Sequence, residues 1–164
     1  MRDLYLIKLL SIAFDVVLAY GIMKLVSVFT DSNAKKLSAY LVTLLLPTVI
    51  LNSAQWGQCD SIYTSFLVLS LYHILTGSPR RSMAEAAIAL GFKLQAVFLL
   101  PVFLVMLFAK KLRWRDVLVF PLTYLLLLLP AVFCGADFMS LLTFYFHSTG
   151  TIGSGLNYNS PSLF

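Results

Sequence analysis

Arg80-Arg-Ser-Met-Ala-Glu-Ala-Ala-Ile-Ala-Leu-Gly-Phe-Lys93, followed by the apolar run Leu94–Ala109, is the stretch that decides the fold. Read as one helix, it places Arg80-Arg81 and the cluster Lys110-Lys-Leu-Arg-Trp-Arg115 on opposite faces of a membrane, which the positive-inside rule disfavours. Read as a hairpin with its apex near Gly91-Phe92-Lys93, it places both clusters on one side. Each arm is then short, at ~1.5 Å per residue. Short arms are tolerable where polar backbone is buried in protein or lines a cavity. Ser82 and Glu85 have the spacing of a capping box and predict a helix start at Ser82. Ala84, Ala87 and Gly91 predict a small face for close helix contact.

Composition sets the environment for this hairpin. The 164 residues are 60% hydrophobic and only 12% charged, with mean hydropathy +0.89. A soluble domain is typically about 45–50% apolar and about 25% charged. The chain therefore reads as an all-α, polytopic transmembrane bundle. The net charge of +5 is concentrated in short clusters between apolar runs, a topology signal rather than a nucleic-acid surface. Two cysteines, Cys59 and Cys134, form no CxxC metal pattern and no disulfide framework. The first apolar run lacks a small-residue cleavage site, and no internal repeat is visible.

A membrane helix needs roughly 20 apolar residues. The remaining spans are Tyr5–Phe29, Leu37–Asn52 carrying Pro47, Asp60–Leu75 and Val117–Cys134. With the two hairpin arms, about six membrane segments result, in one transmembrane domain over 1–164. Lys35-Lys36, Arg80-Arg81 and the 110–115 cluster are expected inside. The 52–60 loop, the Lys93 apex and residues 135–164, which contain no lysine or arginine, are expected outside. Asp137–His147 is expected to form a short interfacial or re-entrant helix in this extracytoplasmic region, followed by a flexible loop over 149–155.

The outer loop Asn52-Ser-Ala-Gln-Trp-Gly-Gln-Cys-Asp60 carries no positive charge and many hydrogen-bonding groups, which suggests a ligand surface. Lys93 is the sharpest residue outside it. A lysine at membrane depth costs on the order of 2.5–3.5 kcal/mol on insertion scales and needs a partner or a wet cavity. It either holds an anionic headgroup such as a lipid phosphate, or pairs with Asp60 to brace the hairpin. Asp60 either binds a divalent cation, magnesium or manganese, or caps the third span. Trp56 and Gln58 suit stacking on and hydrogen-bonding a sugar, against the alternative of an interfacial tryptophan. Gln95 falls on a different face from Lys93 unless the apex is non-helical. Asn52, His147 and Asn159 are candidate outer-loop contacts; His147 is either an acid–base group or, with no visible carboxylate partner, an interface histidine. Asp15, mid-span and about two turns from Lys8 and Lys24, needs a partner on another helix and is read as structural. Lys8 and Lys24 can snorkel.

Asn52-Ser-Ala-Gln-Trp-Gly-Gln-Cys-Asp-Ser-Ile-Tyr63, with Ala89-Leu-Gly-Phe-Lys-Leu-Gln-Ala-Val-Phe-Leu-Leu-Pro101, resembles the bacterial relatives of the GPI mannosyltransferases, membrane glycosyltransferases of the GT-C fold. Tyr158-Asn-Ser-Pro-Ser-Leu-Phe164 is similar to a later outer-loop motif of the group. The resemblance implies an integral enzyme of the bacterial plasma membrane. Such an enzyme transfers a sugar such as mannose from a polyprenyl-phosphate carrier to a glycan or lipid acceptor on the outer face. Trp56, Gln58 and Asp60 fall on the first motif, and Lys93 and Gln95 on the second. The family usually carries its essential acid in an earlier outer loop, and here only Asp3 precedes the first span. The resemblance therefore implies a fragment whose general base lies outside the chain. A small transporter or channel subunit and a non-catalytic membrane scaffold are the rival readings.

Overall fold

Among the described residues the chain is all-helical. The computed structural model describes residues 2–152, with side chains described over 5–145. The first helix, α1, is Arg2–Val26, and α2, Asn33–Leu45, follows a short turn. Pro47 then breaks the path. It disfavours helical backbone at the residue before it, and Leu46 is extended at φ −61°, ψ 122°. The short α3, Pro47–Ile50, continues into a π-helical turn, Leu51–Gln55, and the bent pair deviates by 45° at the break. The segment expected as the second span is thus bent rather than one straight helix.

Helix α4, Asp60–Leu75, has the bounds expected for the third span. Helix α5, Pro79–Phe92, ends at Lys93, whose backbone is extended at φ −155°, ψ 133°. The chain reverses there. Leu94–Leu99 returns as a 3₁₀ turn, and α6, Leu100–Phe108, completes the second arm with Pro101 in its first turn, where a missing N–H costs nothing. Helices α7, Trp114–Val117, and α8, Val119–Phe133, follow. The capping box does not form. Pro79 starts α5 one turn earlier, after Ser78, so Ser82 lies inside the helix and is fully buried.

Two helical stretches, Tyr5–Val26 and Trp114–Phe133, are long and apolar enough to cross a membrane, and the bent pair makes a third if it is one span. Large apolar side chains such as Leu9, Leu45, Leu122 and Leu126 are exposed along them, which suggests a membrane protein. Helix contacts rely on small residues, as is usual where lipid removes the hydrophobic drive to pack. Ala19, Ser11 and Ser65 are fully buried, and a Cβ on Gly21 would stand 3.2 Å from Val68. Ser65 donates to the Phe14 carbonyl at 3.1 Å, tying α4 to α1.

Helices α4 and α5 are joined by a polar ladder. Ser70 meets the Ser82 carbonyl at 2.8 Å and its hydroxyl at 2.9 Å, and His73 Nδ1 meets Glu85 Oε2 at 2.7 Å one turn on. Ser82 and Glu85 are therefore spent on a neighbouring helix rather than on a cap. Of the expected small face, Ala87 is fully buried and Gly91 is exposed, with Leu127 close to it. The basic clusters come together at one end of the hairpin, where Arg80 Nε donates to Asp116 at 3.0 Å. Ile74, Met83, Ala86, Phe103 and Leu112 form an apolar core there.

The chain divides into compact units at 1–127 and 128–164, with the division inside α8. In the second unit Gly135 turns the chain with φ +95°, and α9, Phe138–Ile152, starts on an Asp137 cap. Helix α9 runs past His147 into the segment expected to be a flexible loop.

Candidate functional site

The bent pair of α2 and α3 ends in a π-helical turn, and such turns concentrate at functional sites. The Trp56 N–H closes it on the Leu51 carbonyl at 3.0 Å, and the Gln58 N–H reaches the Asn52 carbonyl at 3.0 Å. The turn presents consecutive residues to two different carboxylates. Asn52 Nδ2 donates to Asp60 Oδ2 at 3.0 Å, while the Ser53 hydroxyl donates to Asp15 Oδ2. The start of α4 repeats the division: Asp60 faces Asn52, and the Ser61 hydroxyl donates to Asp15 Oδ1.

Asp15 is only 6% exposed, with Ser53 and Ser61 buried around it. A buried carboxylate must be hydrogen-bonded. The partners expected on another helix are these two serines, one on each side of the Trp56 loop. Asp15 therefore ties both ends of the loop to α1.

Lys93 Nζ donates to Asp60 Oδ1, so the hairpin apex closes on the start of α4. The Lys93 ammonium also stands 5.4 Å from the Tyr63 ring centre, within cation–π range. Side-chain exposure of 35% for Lys93 and 28% for Asp60 leaves the pair reachable from outside. Asp60 is the first residue of α4 and does not cap it; Cys59 stands at the cap position without a side-chain bond. Trp56 is 67% exposed beside the pair's loop, and Gln58 and Gln95 are exposed as well. The extended backbone at Lys93 supplies the non-helical apex that a shared orientation of Lys93 and Gln95 requires. Cys59 and Cys134 are both free and exposed. The side chain of His147 and all of Asn159 lie outside the described residues.

The donor set does not fit a divalent cation at Asp60. Hard cations take six or more oxygens, several from carboxylates. Asp60 is one carboxylate, with Oδ1 on an ammonium and Oδ2 on an amide N–H. Among the described residues no cluster of three or more His, Cys, Asp or Glu forms.

Sequence reasoning did not single out Ser53, Ser61 or Tyr63. A signal was present: a mid-span aspartate demands donors, and serines flank the polar loop at both ends. No family model, curated protein or solved structure matches the chain.

Proposed function

We propose that the chain belongs to a membrane glycosyltransferase of GT-C-like, multi-pass architecture that uses a polyprenyl-phosphate sugar, such as mannose, as donor. The observation that carries this reading is the Lys93–Asp60 pair, which joins the tryptophan-bearing loop and the hairpin apex, two motifs thirty-three residues apart, into one surface. In the proposed orientation that surface faces outward in a bacterial plasma membrane, with the basic clusters inside.

The chemistry is a single displacement at the anomeric carbon. The bond between that carbon and the phosphate oxygen breaks, and the polyprenyl phosphate leaves with the electron pair. The acceptor oxygen forms the new bond, and its proton passes to a carboxylate base, a role assigned to no residue of this chain. Lys93 stabilises the charge that grows on the leaving phosphate. Asp60, itself held by the Asn52 amide, keeps Lys93 at the apex until the donor arrives. The exposed Trp56 ring gives the sugar a stacking face, with the Gln58 and Gln95 amides for its hydroxyls.

The test is equilibrium binding of a short-chain polyprenyl-phosphate mannose to the purified protein in detergent. The sugar-bearing phosphate is expected to bind more tightly than the same phosphate without sugar, and Trp56→Ala is expected to remove that difference. Equal binding of the two ligands by the parent protein contradicts the reading.

A further inference from the structure

A second lysine borders the Trp56 turn. A Cβ built on Gly57 would stand 3.2 Å from Lys8 Cγ and 3.6 Å from Lys8 Cε. The lysine stem therefore lies along the backbone of the turn, and the ammonium is one C–N bond, about 1.5 Å, beyond it. Gly57 also has φ +65°, a conformation that a side chain resists. Glycine thus serves both the turn and the space Lys8 occupies. A lysine that only snorkels along lipid needs neither a polar turn against its stem nor a glycine to admit it.

Lys8 differs from the other charged groups near the turn. Lys93 is already neutralised by Asp60, whose second oxygen is held by Asn52. The Asp15 oxygens are held by Ser53 and Ser61. Among the described residues no carboxylate pairs with Lys8, whose stem lies beside the turn. Ser11 and Asp15 follow Lys8 at the i+3 and i+7 positions of one face of α1. The Ser11 hydroxyl is fully buried and has no hydrogen-bond partner among the described residues. This unpartnered hydroxyl, one turn from Lys8, gives that face of α1 a polar lining.

We propose that Lys8 is the primary phosphate-binding group of this site, taking the phosphate of a lipid phosphate ester at the Trp56 turn, and that the Lys93–Asp60 pair acts beside it. Division of labour follows from the contacts. Lys8 brings net positive charge to attract the anion, while Lys93 can bind it only by leaving Asp60. The inference rests on the proposed function solely in taking the ligand to be a phosphate ester.

The experiment titrates farnesyl phosphate into the detergent-purified protein. Trp114→Phe is the background, so that Trp56 reports binding through its emission. Lys8→Gln is expected to weaken binding at least about tenfold, and Lys8→Arg to stay within about threefold. Gly57→Ala, which displaces the lysine stem without changing charge, is expected to weaken it as well. Farnesol is expected not to compete. Competition by inorganic phosphate shows that the phosphate alone is recognised, and absence of competition with the Lys8 dependence intact shows that it is recognised on its lipid; both support the role. Binding by Lys8→Gln within about twofold of the parent overturns it, as does binding of farnesol equal to that of farnesyl phosphate. Lys8-dependent binding of farnesyl phosphate with no preference for the sugar-bearing donor removes the glycosyltransferase reading and leaves this inference standing.

Discussion

Asp15 sits in an otherwise apolar helix because Ser53 and Ser61 reach it from either side of the Trp56 loop. Removing the carboxylate leaves the Ser61 hydroxyl buried without that acceptor, and orphaning a buried hydroxyl costs about 1–3 kcal/mol. Asp15→Ala is therefore expected to lower stability by about that amount in a detergent unfolding titration, and an unchanged midpoint contradicts the assignment. The Lys93–Asp60 pair has a different signature. It is partly exposed, so its contribution is modest, but the partners touch and their effects should not add. A double-mutant cycle of Lys93→Met and Asp60→Asn is expected to show a coupling of about 1 kcal/mol. Additive effects would mean that the two side chains do not meet in solution.

Pro47 sets the position of the π-helical turn, since it breaks the helix at Leu46 and bends the chain by 45°. Replacing it with alanine restores the missing donor and lets α2 continue. The account predicts that Ser53 then loses Asp15. In the parent, Ser53→Ala is expected to cost about 1 kcal/mol or more; in Pro47→Ala the same change is expected to cost little. An undiminished penalty shows that the bend does not place Ser53. Helix α9 offers a pH-dependent test. The Ser140 N–H donates to Asp137 Oδ2 at 2.7 Å and, with the other bonds at this helix start, holds the Asp137 carboxyl below its usual range. A depressed carboxylate stabilises the folded cap above its unfolded pKa and loses that contribution as pH falls through the lowered folded value. Amide exchange at Ser140 should be slow near neutral pH and rise above the intrinsic rate trend only in acid below the ordinary aspartate range. Protection that persists after Asp137→Ala contradicts the cap.

The hairpin was legible in the chain because charge is a topological constraint: two basic clusters cannot lie across a membrane from each other at low cost, and Lys93 needed a partner. The bounds of α4 were legible for the same kind of reason, an acidic start and an unbroken apolar run. The start of α5 was not. Ser82 and Glu85 have the spacing of a cap, but lateral partners on α4 compete for them, and spacing along one helix carries no information about its neighbour. Lys8 was hidden likewise, since snorkelling and lying against a glycine turn look identical in sequence. The serines on Asp15 were half visible, as a demand for donors whose suppliers only the fold identifies.

Within residues 1–127 the charged groups are sorted by end. Lys8, the Lys93–Asp60 pair and the Trp56 loop belong to one end of the helices, and Arg80 and Asp116 to the other. The proposed outer surface depends on this sorting. It is tested most directly by thiol labelling from each side of the membrane in intact, inverted and permeabilised vesicles. Cys59→Ser and Cys134→Ser remove the native thiols, and single cysteines are introduced as Gln58→Cys, Gln95→Cys and Lys36→Cys. Positions 58 and 95 are predicted to react with an impermeant reagent from the same compartment, and position 36 from the opposite one. Reaction of positions 58 and 95 from different compartments would contradict the account.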